Sequence, residues 1–345
     1  MKVYLRINDR CTLACRYCFE ERRKQHGGEL SKKVADDILE FCRRHNVKSV
    51  EIPQREPTAS DDVLRYVLRR FPKGGVEVTG VVTNAYRLPK WLLRTLRRRR
   101  ISVLASYDGL WHDDFRLDVR GRPTAETVRE NVRRLVESGV PTTVACTVVH
   151  GVCHMIYENW RHLSSLTRSV AFNFDVTSPF AITRKDVLII RGEFAKIARA
   201  GGEPFPLNKI KRRLLSGARY TNFMCGAGRG AVCVNYDGRI YPCYHVSAWE
   251  AMGVCLGDVW SGIDEEKLRR FQEYDTATPE KCRSCGTALC GICYTASWEV
   301  VGDPLTPIPI NCLLLKSLTK VVKEHLGVHH DLRRVQFCKM AQRQS

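Results

Sequence analysis

The stretch CTLACRYCFE (residues 11–20) follows a short apolar run, VYLRI (residues 3–7), and places Cys11, Cys15 and Cys18 at CxxxCxxC spacing. Three thiolates on one short loop can hold three irons of a [4Fe-4S] cube and leave the fourth iron open to a small molecule. An open iron is a site for chemistry, so the motif predicts an enzyme. The alternative is a zinc knuckle or a chance cluster in a chain with 16 cysteines.

The motif resembles that of the radical S-adenosylmethionine (SAM) superfamily. The resemblance implies that Cys11, Cys15 and Cys18 hold a reductive cluster whose open iron binds the amino and carboxylate groups of SAM. One electron from the cluster then cleaves SAM to methionine and a 5'-deoxyadenosyl radical, which abstracts a hydrogen atom from the substrate. Tyr17, inside the motif, is assigned to the SAM site on the same grounds.

Composition indicates a globular protein without a membrane segment. With 345 residues and 44% hydrophobic content, the chain can bury one large core or two smaller ones. The start, MKVYLRIND, has no signal-peptide pattern, and no apolar run approaches the roughly 20 residues of a membrane span. We therefore expect a cytoplasmic protein, whose cysteines are metal ligands rather than disulfide partners.

The formal net charge of +19 leaves a strongly basic surface, with a run of four arginines at Arg97 to Arg100. These charges are either solvated faces or a footprint for an acidic partner such as a precursor peptide. Nucleic acid is disfavoured because aromatic and basic residues do not interleave in a stripe.

The first 200 residues alternate short β-branched runs with longer amphipathic stretches. Strands are predicted at residues 3–7, 48–52, 76–82, 101–106, 142–148 and 170–176. Helices are predicted at residues 31–45, 60–71, 89–99, 124–138 and 154–167, with Ser31, Ser60 and Thr124 as N-caps. The alternation implies an α/β fold with a parallel sheet, and its six units resemble the partial (β/α)6 barrel of radical SAM enzymes. Ligands in such folds gather at the carboxyl ends of the strands.

The second and third predicted strands end in segments that resemble SAM-binding motifs of the family. PQREP (residues 53–57) matches GGEP at Glu56 and Pro57, whereas Gln54 and Arg55 replace both glycines. Glycine permits close backbone approach, so we expect this loop to sit differently. The resemblance assigns Glu56 to the SAM amino group, and the TNG-like segment VTNAY adds Thr83 and Asn84; a surface carboxylate is the alternative for Glu56.

The fourth strand ends in SYDG, followed by HDDFR, which resembles the SLDG and HDxxR segments of the peptide-modifying branch. Ser106, Asp108 and Arg116 are therefore candidates for SAM binding, and Asn173 on the sixth strand points to the same edge. A guanidinium suits a carboxylate by bidentate geometry, so Arg116 is expected at the methionyl end. A plain turn at Asp108 and Gly109 is the alternative.

Seven cysteines beyond residue 224 follow an ordered layout. Cys225, Gly238 and Cys243 have the form C-x12-G-x4-C, and CRSCGTALCGIC then precedes Cys312. The layout resembles the SPASM domain, which carries two auxiliary [4Fe-4S] clusters. The resemblance assigns Cys225, Cys233, Cys243 and Cys293 to one cluster and Cys282, Cys285, Cys290 and Cys312 to the other. Cys255 in place of Cys233, or a zinc ribbon built from the two CxxC pairs, are the alternatives.

Four segments follow: a radical SAM partial barrel at residues 1–200, a junction at 201–224, the auxiliary-cluster domain at 225–315, and a C-terminal helix with a basic tail at 316–345. Because the barrel starts at residue 3, we expect a precursor peptide to dock elsewhere or through a separate recognition protein.

The sequence predicts a radical SAM/SPASM enzyme that oxidatively cross-links a ribosomal peptide, for example through a thioether or a carbon-carbon bond. It would use three [4Fe-4S] clusters, SAM and a flavodoxin- or ferredoxin-type electron donor. The alternatives are a small-molecule dehydrogenase, a formylglycine-forming maturase, and a basic iron-sulfur or zinc protein that binds nucleic acid. The maturase is disfavoured because that branch tends to place Asp after the cysteine that corresponds to Cys243, whereas this chain has Tyr244 and His245.

Overall fold

The computed structural model describes residues 1–20, 27–53, 55–216, 225–269 and 293–327, together with Cys282, Cys285 and Thr287. Two residues named above, Gln54 and the predicted ligand Cys290, lie outside the described residues, as do residues 217–224 of the junction and residues 328–345 of the predicted tail.

Six parallel strands form the wall of a partial barrel, as the alternating sequence pattern predicts. They are β1 (Lys2–Leu5), β3 (Ser49–Ile52), β4 (Glu77–Thr83), β5 (Ser102–Ser106), β7 (Thr142–Val148) and β8 (Val170–Phe174). Neighbouring strands pair in that order. One face of the strands buries residues such as Val3, Val50 and Val103, while the half-buried Tyr4 and Glu51 are paired on the opposite, concave face. The predicted (β/α)6 class is confirmed.

Helices on the convex side connect the strands. They are α1 (Lys32–Arg44), α2 (Asp61–Lys73), α3 (Lys90–Arg99), α5 (Ala125–Glu137), α6 (Ile156–Leu166) and α7 (Arg184–Arg199), with the short α4 (His112–Phe115) before α5. Ser31 caps α1 as predicted, because its Oγ accepts a hydrogen bond from the Val34 amide. The side chains of Ser60 and Thr124 make no capping bond. Asp113 supplies the cap of α5 instead, since its Oδ1 accepts from the amides of Thr124 and Ala125.

A two-stranded antiparallel ribbon carries part of the cysteine motif to the carboxyl edge of the sheet. It consists of β2 (Leu13–Cys15) and β6 (Arg116–Asp118), in which Cys15 lies opposite Arg116. A non-local pairing thus brings a predicted iron ligand beside a predicted SAM-site cation.

The cysteine-rich half extends the same sheet rather than forming a separate layer. Strand β9 (Ala231–Val234) pairs in parallel with β1, and β10 (Arg239–Tyr241), β11 (Gly257–Asp258) and β12 (Gly262–Ile263) continue outward in antiparallel fashion. Over the described ranges, the sheet therefore has ten strands, in the order β12-β11-β10-β9-β1-β3-β4-β5-β7-β8. The helix α9 (Val246–Ala251) lies between β10 and β11 in the chain.

The junction at 201–224 is not an open linker over its described part. Residues Leu207–Ser216 form α8, because Leu207, Ile210 and Leu214 recur at helical spacing and are buried. Two further helices, α10 (Tyr294–Val301) and α11 (Pro309–His325), follow, and α11 lies against α7 and α8. The C-terminal helix therefore returns to the barrel. Among the described helices, none combines the length and the apolar character that a bilayer crossing requires.

Candidate functional site

The three cysteines of the motif lie at the carboxyl edge of the parallel strands. Cys11, Cys15 and Cys18 are each partly exposed, and the Cys18 amide donates to the Cys15 carbonyl over 2.9 Å, which turns the loop back on itself. Burial raises the pKa of the Cys11 thiol to about 11 and that of the Cys15 thiol to about 12. These thiols are therefore protonated at neutral pH until a metal displaces the protons.

Two side chains aim N–H groups at the sulfur atoms. The Asn84 amide nitrogen lies 3.7 Å from Cys11 Sγ, and a terminal guanidinium nitrogen of Arg116 lies 3.7 Å from Cys15 Sγ. Hydrogen bonds to cluster sulfurs stabilise thiolate charge and tune reduction potential. The donor set of three thiols with N–H neighbours fits an iron-sulfur cluster.

Asp108, a predicted SAM-site residue, is fully buried and joins several elements of the site. Its Oδ2 accepts from Arg116 Nε at 2.8 Å and from the Tyr17 hydroxyl, and its Oδ1 accepts from the Thr147 amide at 2.8 Å. The Arg116 guanidinium also lies over the Tyr17 ring. Asp108 thus fixes Arg116 along one edge and leaves the other edge of the guanidinium facing the cysteine loop.

A buried histidine, His112, connects the backbone of Asp108 to Thr124, which in turn contacts the backbone of Arg116. His112 Nδ1 accepts from the Asp108 amide at 3.1 Å, and His112 Nε2 lies 3.1 Å from the Thr124 hydroxyl. That hydroxyl donates to the Arg116 carbonyl, so the imidazole must carry its proton on Nε2. Burial lowers the pKa of His112 to about 4.

We expect acid to destabilise the protein through His112. The unfolded chain takes up a proton near pH 6.5, whereas the folded imidazole stays neutral to about pH 4, so stability falls as the pH drops through this window. The loss is on the order of 3 kcal/mol. Urea unfolding at pH 7 and pH 4.5 measures it. His112→Gln is expected to reduce the difference between the two pH values, and an undiminished difference would assign the effect to other groups.

Glu56, the acid of the PQREP segment, is fully buried and occupied by donors of its own chain. Its two oxygens accept from the amide and hydroxyl of Thr58, from the hydroxyl of Thr83 at 2.9 Å and from the amide of Asn84 at 2.7 Å. Burial raises the pKa of Glu56 above its ordinary value, and these hydrogen bonds oppose that shift. The carboxylate therefore ties the loops after β3 and β4 together and sets the position of Asn84 beside Cys11.

Ser106 and Asn173, two further predicted SAM-site residues, lie near the carboxyl ends of their strands. Ser106, at the end of β5, is half-buried and in register with Ala145. Asn173 is exposed on β8 and in register with Thr147, whose hydroxyl lies 3.4 Å from Arg116. Both face the same edge of the sheet as the cysteine loop.

In the C-terminal half, three thiols of the first predicted auxiliary set, Cys225, Cys243 and Cys293, are close enough to affect one another's pKa. The pKa of Cys243 is raised by burial and also by the neighbouring thiols of Cys293 and Cys225. Trp249 Nε1 donates to Cys243 Sγ over 3.0 Å. Cys233 is fully buried on β9, opposite Tyr4; burial raises its pKa, which the charge of Arg6 lowers and that of Glu20 raises.

The second predicted set is described only in part. The Cys285 amide donates to the Cys282 carbonyl, and Cys312 lies half-buried in the first turn of α11. Over the described ranges, no three His, Cys, Asp or Glu side chains converge on a single metal ion. A [4Fe-4S] cube takes one thiolate per iron and so spreads its ligands over separate corners.

The alternative ligand Cys255 is half-buried and packs against the same group of side chains as Cys233 and Cys243, with its Sγ 3.4 Å from the Gly257 carbonyl. If Cys233 is the ligand, Cys233→Ala is expected to lose about four irons per chain after anaerobic reconstitution, whereas Cys255→Ala keeps them. Iron and sulfide assays measure both variants. The reverse pattern would transfer the ligand role to Cys255.

Sequence reasoning missed a buried ion cluster beneath the cysteine loop, formed by Arg6, Asp9, Glu20 and Arg55. Each side chain is at most 4% exposed, and Arg55 lies 2.8 Å from Asp9 and 2.9 Å from Glu20. Charges at residues 6 and 9, inside an otherwise apolar strand and its extension, were the available signal.

Family models match both halves of the chain. The radical SAM superfamily model matches residues 5–163, and the SPASM model, described as an iron-sulfur cluster-binding domain, matches residues 225–286.

Curated relatives fall into two kinds. Molybdenum cofactor biosynthesis protein 1 of Bos taurus is 29% identical over 156 residues, which are 43% of this chain and 24% of that protein. GTP 3',8-cyclase of Petrotoga mobilis is 27% identical, over 47% of this chain and 51% of that protein. The chain thus spans about half the length or less of these two. Mycofactocin maturase MftC of Mycobacterium tuberculosis is 24% identical, over 80% of this chain and 73% of that protein.

Solved structures share the fold over nearly the whole chain. Native anSMEcpe with bound AdoMet has a TM-score of 0.78 at 17% identity and covers 94% of this chain and 97% of its own. SuiB of Streptococcus suis, bound to precursor peptide SuiA, has a TM-score of 0.64 at 17% identity and covers 90% of this chain and 75% of its own. The two domain matches fall on the two regions of the chain that carry the predicted iron ligands. Residues 5–163 therefore form a radical SAM domain and residues 225–286 a SPASM iron-sulfur cluster-binding domain, and the cofactors of this enzyme are [4Fe-4S] clusters and SAM.

Proposed function

We propose that this enzyme oxidatively modifies a peptide or protein, forming a cross-link such as a thioether or a carbon-carbon bond in a ribosomal peptide. One observation carries the proposal: a single continuous sheet joins the barrel, whose carboxyl edge carries the Cys11–Cys18 loop, to the SPASM strands that begin with β9, in a fold shared with anSMEcpe and SuiB. The maturase MftC and the peptide-bound SuiB support a peptide rather than a nucleotide substrate.

In this proposal Cys11, Cys15 and Cys18 hold the reductive cluster, which, with SAM bound, supplies the radical that abstracts hydrogen. Asp108 holds Arg116 by its Nε atom, so the terminal nitrogens of the guanidinium face the loop, where a methionyl carboxylate would bind. Glu56 acts as a positioning residue, because it fixes Thr83 and Asn84 through hydrogen bonds. Tyr17, Ser106 and Asn173 complete the proposed SAM site.

The thiols of the SPASM domain fit the role of electron acceptors or substrate anchors. Cys225, Cys233, Cys243 and Cys293 would hold one auxiliary cluster, and Cys282, Cys285, Cys290 and Cys312 the other. Because β9 continues the barrel sheet beside β1, substrate oxidised at the barrel edge would lie between the reductive and auxiliary clusters. A flavodoxin- or ferredoxin-type protein would supply the electrons.

The test is to express the chain with short peptides encoded beside its gene and to weigh the peptides by mass spectrometry. A cross-linked peptide is expected to lose two hydrogen atoms per bond, and the Cys11→Ala/Cys15→Ala/Cys18→Ala variant is expected to leave the peptide unchanged. Intact peptides together with turnover of a small alcohol would replace the proposal by the dehydrogenase alternative.

A formylglycine-forming maturase is the second candidate, favoured by the high structural overlap with anSMEcpe. In place of an acid after Cys243, the chain has Tyr244, whose ring packs edge-on against Tyr4, and His245, which stacks on Phe19 and lies 3.0 Å from the Thr295 hydroxyl. Conversion of a peptide cysteine or serine to an aldehyde, detected by hydrazide labelling, would select this candidate.

The surface charge supports an acidic substrate segment. Helix α3 has no acidic residue, and its Arg94, Arg97 and Arg98 are exposed, with no ion pair to any residue in the described part of the chain. On α5, by contrast, Arg129 pairs with Glu126, and Arg133 pairs with Glu130 and Glu137. Like charges one turn apart destabilise a helix, so the arginines of α3 repel one another. An anionic partner bound to this helix would reduce that repulsion.

We therefore expect Arg94→Gln/Arg98→Gln to weaken binding of an acidic precursor peptide about tenfold at low salt, because each screened charge contributes at most about 1 kcal/mol. The matched control, Arg129→Gln/Arg133→Gln, removes two arginines that already have partners and is expected to change binding little. Fluorescence anisotropy at low and high salt measures both variants. Equal effects of the two variants would indicate that the α3 arginines are solvated and do not bind the peptide specifically.

A further inference from the structure

The buried ion cluster of Arg6, Asp9, Glu20 and Arg55 encloses the cysteine motif from both ends. Asp9 lies two residues before Cys11, and Glu20 lies two residues after Cys18. One guanidinium nitrogen of Arg55 contacts both acids, at 2.8 and 2.9 Å, and Arg6 contacts the same two, at 2.7 and 3.4 Å. Arg55 thus bridges the start and the end of the loop.

The backbone conformation at residue 55 does not favour arginine, so the contacts of the arginine side chain explain why this residue is present. Its φ of 58° lies in the left-handed region, which glycine adopts freely and arginine does not. Glycine would therefore suit this backbone better, and the family segment that PQREP resembles carries glycine here. The contacts of the guanidinium offset the strain.

The same cluster reaches the SPASM half. Ser247 of α9 donates to Glu20 over 3.1 Å, and the Arg6 amide donates to the Val234 carbonyl of β9. Arg6 and Glu20 are also the charged groups that act most strongly on the buried Cys233. Among the described residues, two cations and two carboxylates meet in this region, where charges interact more strongly than in water.

We propose that Arg55 is a positioning residue that clamps the two ends of the Cys11–Cys18 loop and couples this loop to the SPASM domain. Arg55 also carries a buried positive charge beside both acids, so its loss leaves this region one charge more negative. An extra negative charge disfavours the reduced form of a neighbouring iron-sulfur cluster. Arg55 therefore sets the reduction potential of the reductive cluster as well as the geometry of its loop, whatever the substrate.

The experiment compares wild type with Arg55→Gly, Arg55→Lys and Arg55→Gly/Glu20→Gln. One readout is thermal unfolding of the metal-free chain. The other is the midpoint potential of the cluster whose electron paramagnetic resonance signal changes when SAM is added. Arg55→Gly is expected to unfold at a lower temperature than wild type, although it relieves the backbone, and to shift the midpoint to a more negative value.

The other variants separate charge from geometry. Arg55→Gly/Glu20→Gln removes one positive and one negative charge, so it keeps the wild-type net charge; its midpoint is expected to return toward the wild-type value while its unfolding temperature stays low. Arg55→Lys keeps the charge and is expected to hold the midpoint but to lose part of the stability, because one ammonium replaces a planar fork. These two variants carry the test if Arg55→Gly does not fold.

Arg10→Ala is the control, because Arg10 precedes Cys11 and its exposed side chain pairs with the half-buried Glu29. It is expected to change neither readout appreciably. Stability of Arg55→Gly equal to or above that of wild type, with an unchanged midpoint, would overturn the proposal.

Discussion

Replacing Cys11, Cys15 and Cys18 together by alanine is expected to lower the iron content of the anaerobically reconstituted protein from about 12 to about 8 atoms per chain. The variant is also expected to form no 5'-deoxyadenosine from SAM and dithionite. These thiols are the described ligand candidates at the carboxyl edge of the barrel, and the side-chain N–H donors to their sulfurs, Asn84 and Arg116, belong to that edge. Removing the thiols therefore removes one cluster and leaves the SPASM thiols in place.

The matched control is Cys42→Ala, which removes a fully buried thiol from α1. It is expected to keep all its iron and its SAM cleavage. Zinc in place of iron, or no SAM cleavage by wild type with intact clusters, would contradict the expectation. A loss of about 12 irons in the triple variant would instead show that the reductive loop is needed for the other two sites to load.

Replacing Asp108 by alanine is expected to reduce the free energy of unfolding by about 3–5 kcal/mol, because it leaves the Arg116 charge buried without its carboxylate. Arg116, Tyr17 and the Thr147 amide all lose their shared acceptor. Urea unfolding measures the loss, and SAM affinity is expected to fall with it, since Arg116 is no longer held toward the loop.

Glu40→Ala is the control, since Glu40 forms an exposed pair with Arg43 on α1. Its expected cost is below about 1 kcal/mol. If Asp108→Ala costs no more than Glu40→Ala, Asp108 is the plain turn residue that the sequence also allowed.

The barrel could be predicted from the sequence because each of its strands is a short β-branched run with a convex face buried under helices. Strands β3, β4, β5 and β7 lie within one residue of their predicted bounds at both ends. Periodicity also marks α8, since Leu207, Ile210 and Leu214 have helical spacing, but six basic or polar residues within the same helix masked the pattern.

Features that depend on non-local pairing could not be predicted. Nothing in the AVCV segment shows that β9 joins β1, because the two strands are more than 200 residues apart in the chain. The motif around Asp108 suggested SAM binding, whereas its fixed partners come from residue 17, residue 116 and residue 147. In the sequence, Arg55 is notable only because it replaces a glycine of the motif that PQREP resembles. Its contacts with Asp9 and Glu20, from which we infer its positioning role, depend on the folded structure.

The pairing of β9 with β1 bears on how such enzymes exchange modules. Lys2 to Leu5 each align with a residue of Ala231–Val234, and Val3, Leu5, Val232 and Val234 are all almost fully buried. A barrel expressed without β9 would present β1 as an apolar edge with unpaired amides, which is a template for aggregation. A cysteine-rich module taken from another enzyme must therefore supply this one strand in register, together with Cys225 before it and Cys233 within it, so recombination that breaks before Cys225 keeps the strand and its proposed cluster ligands together.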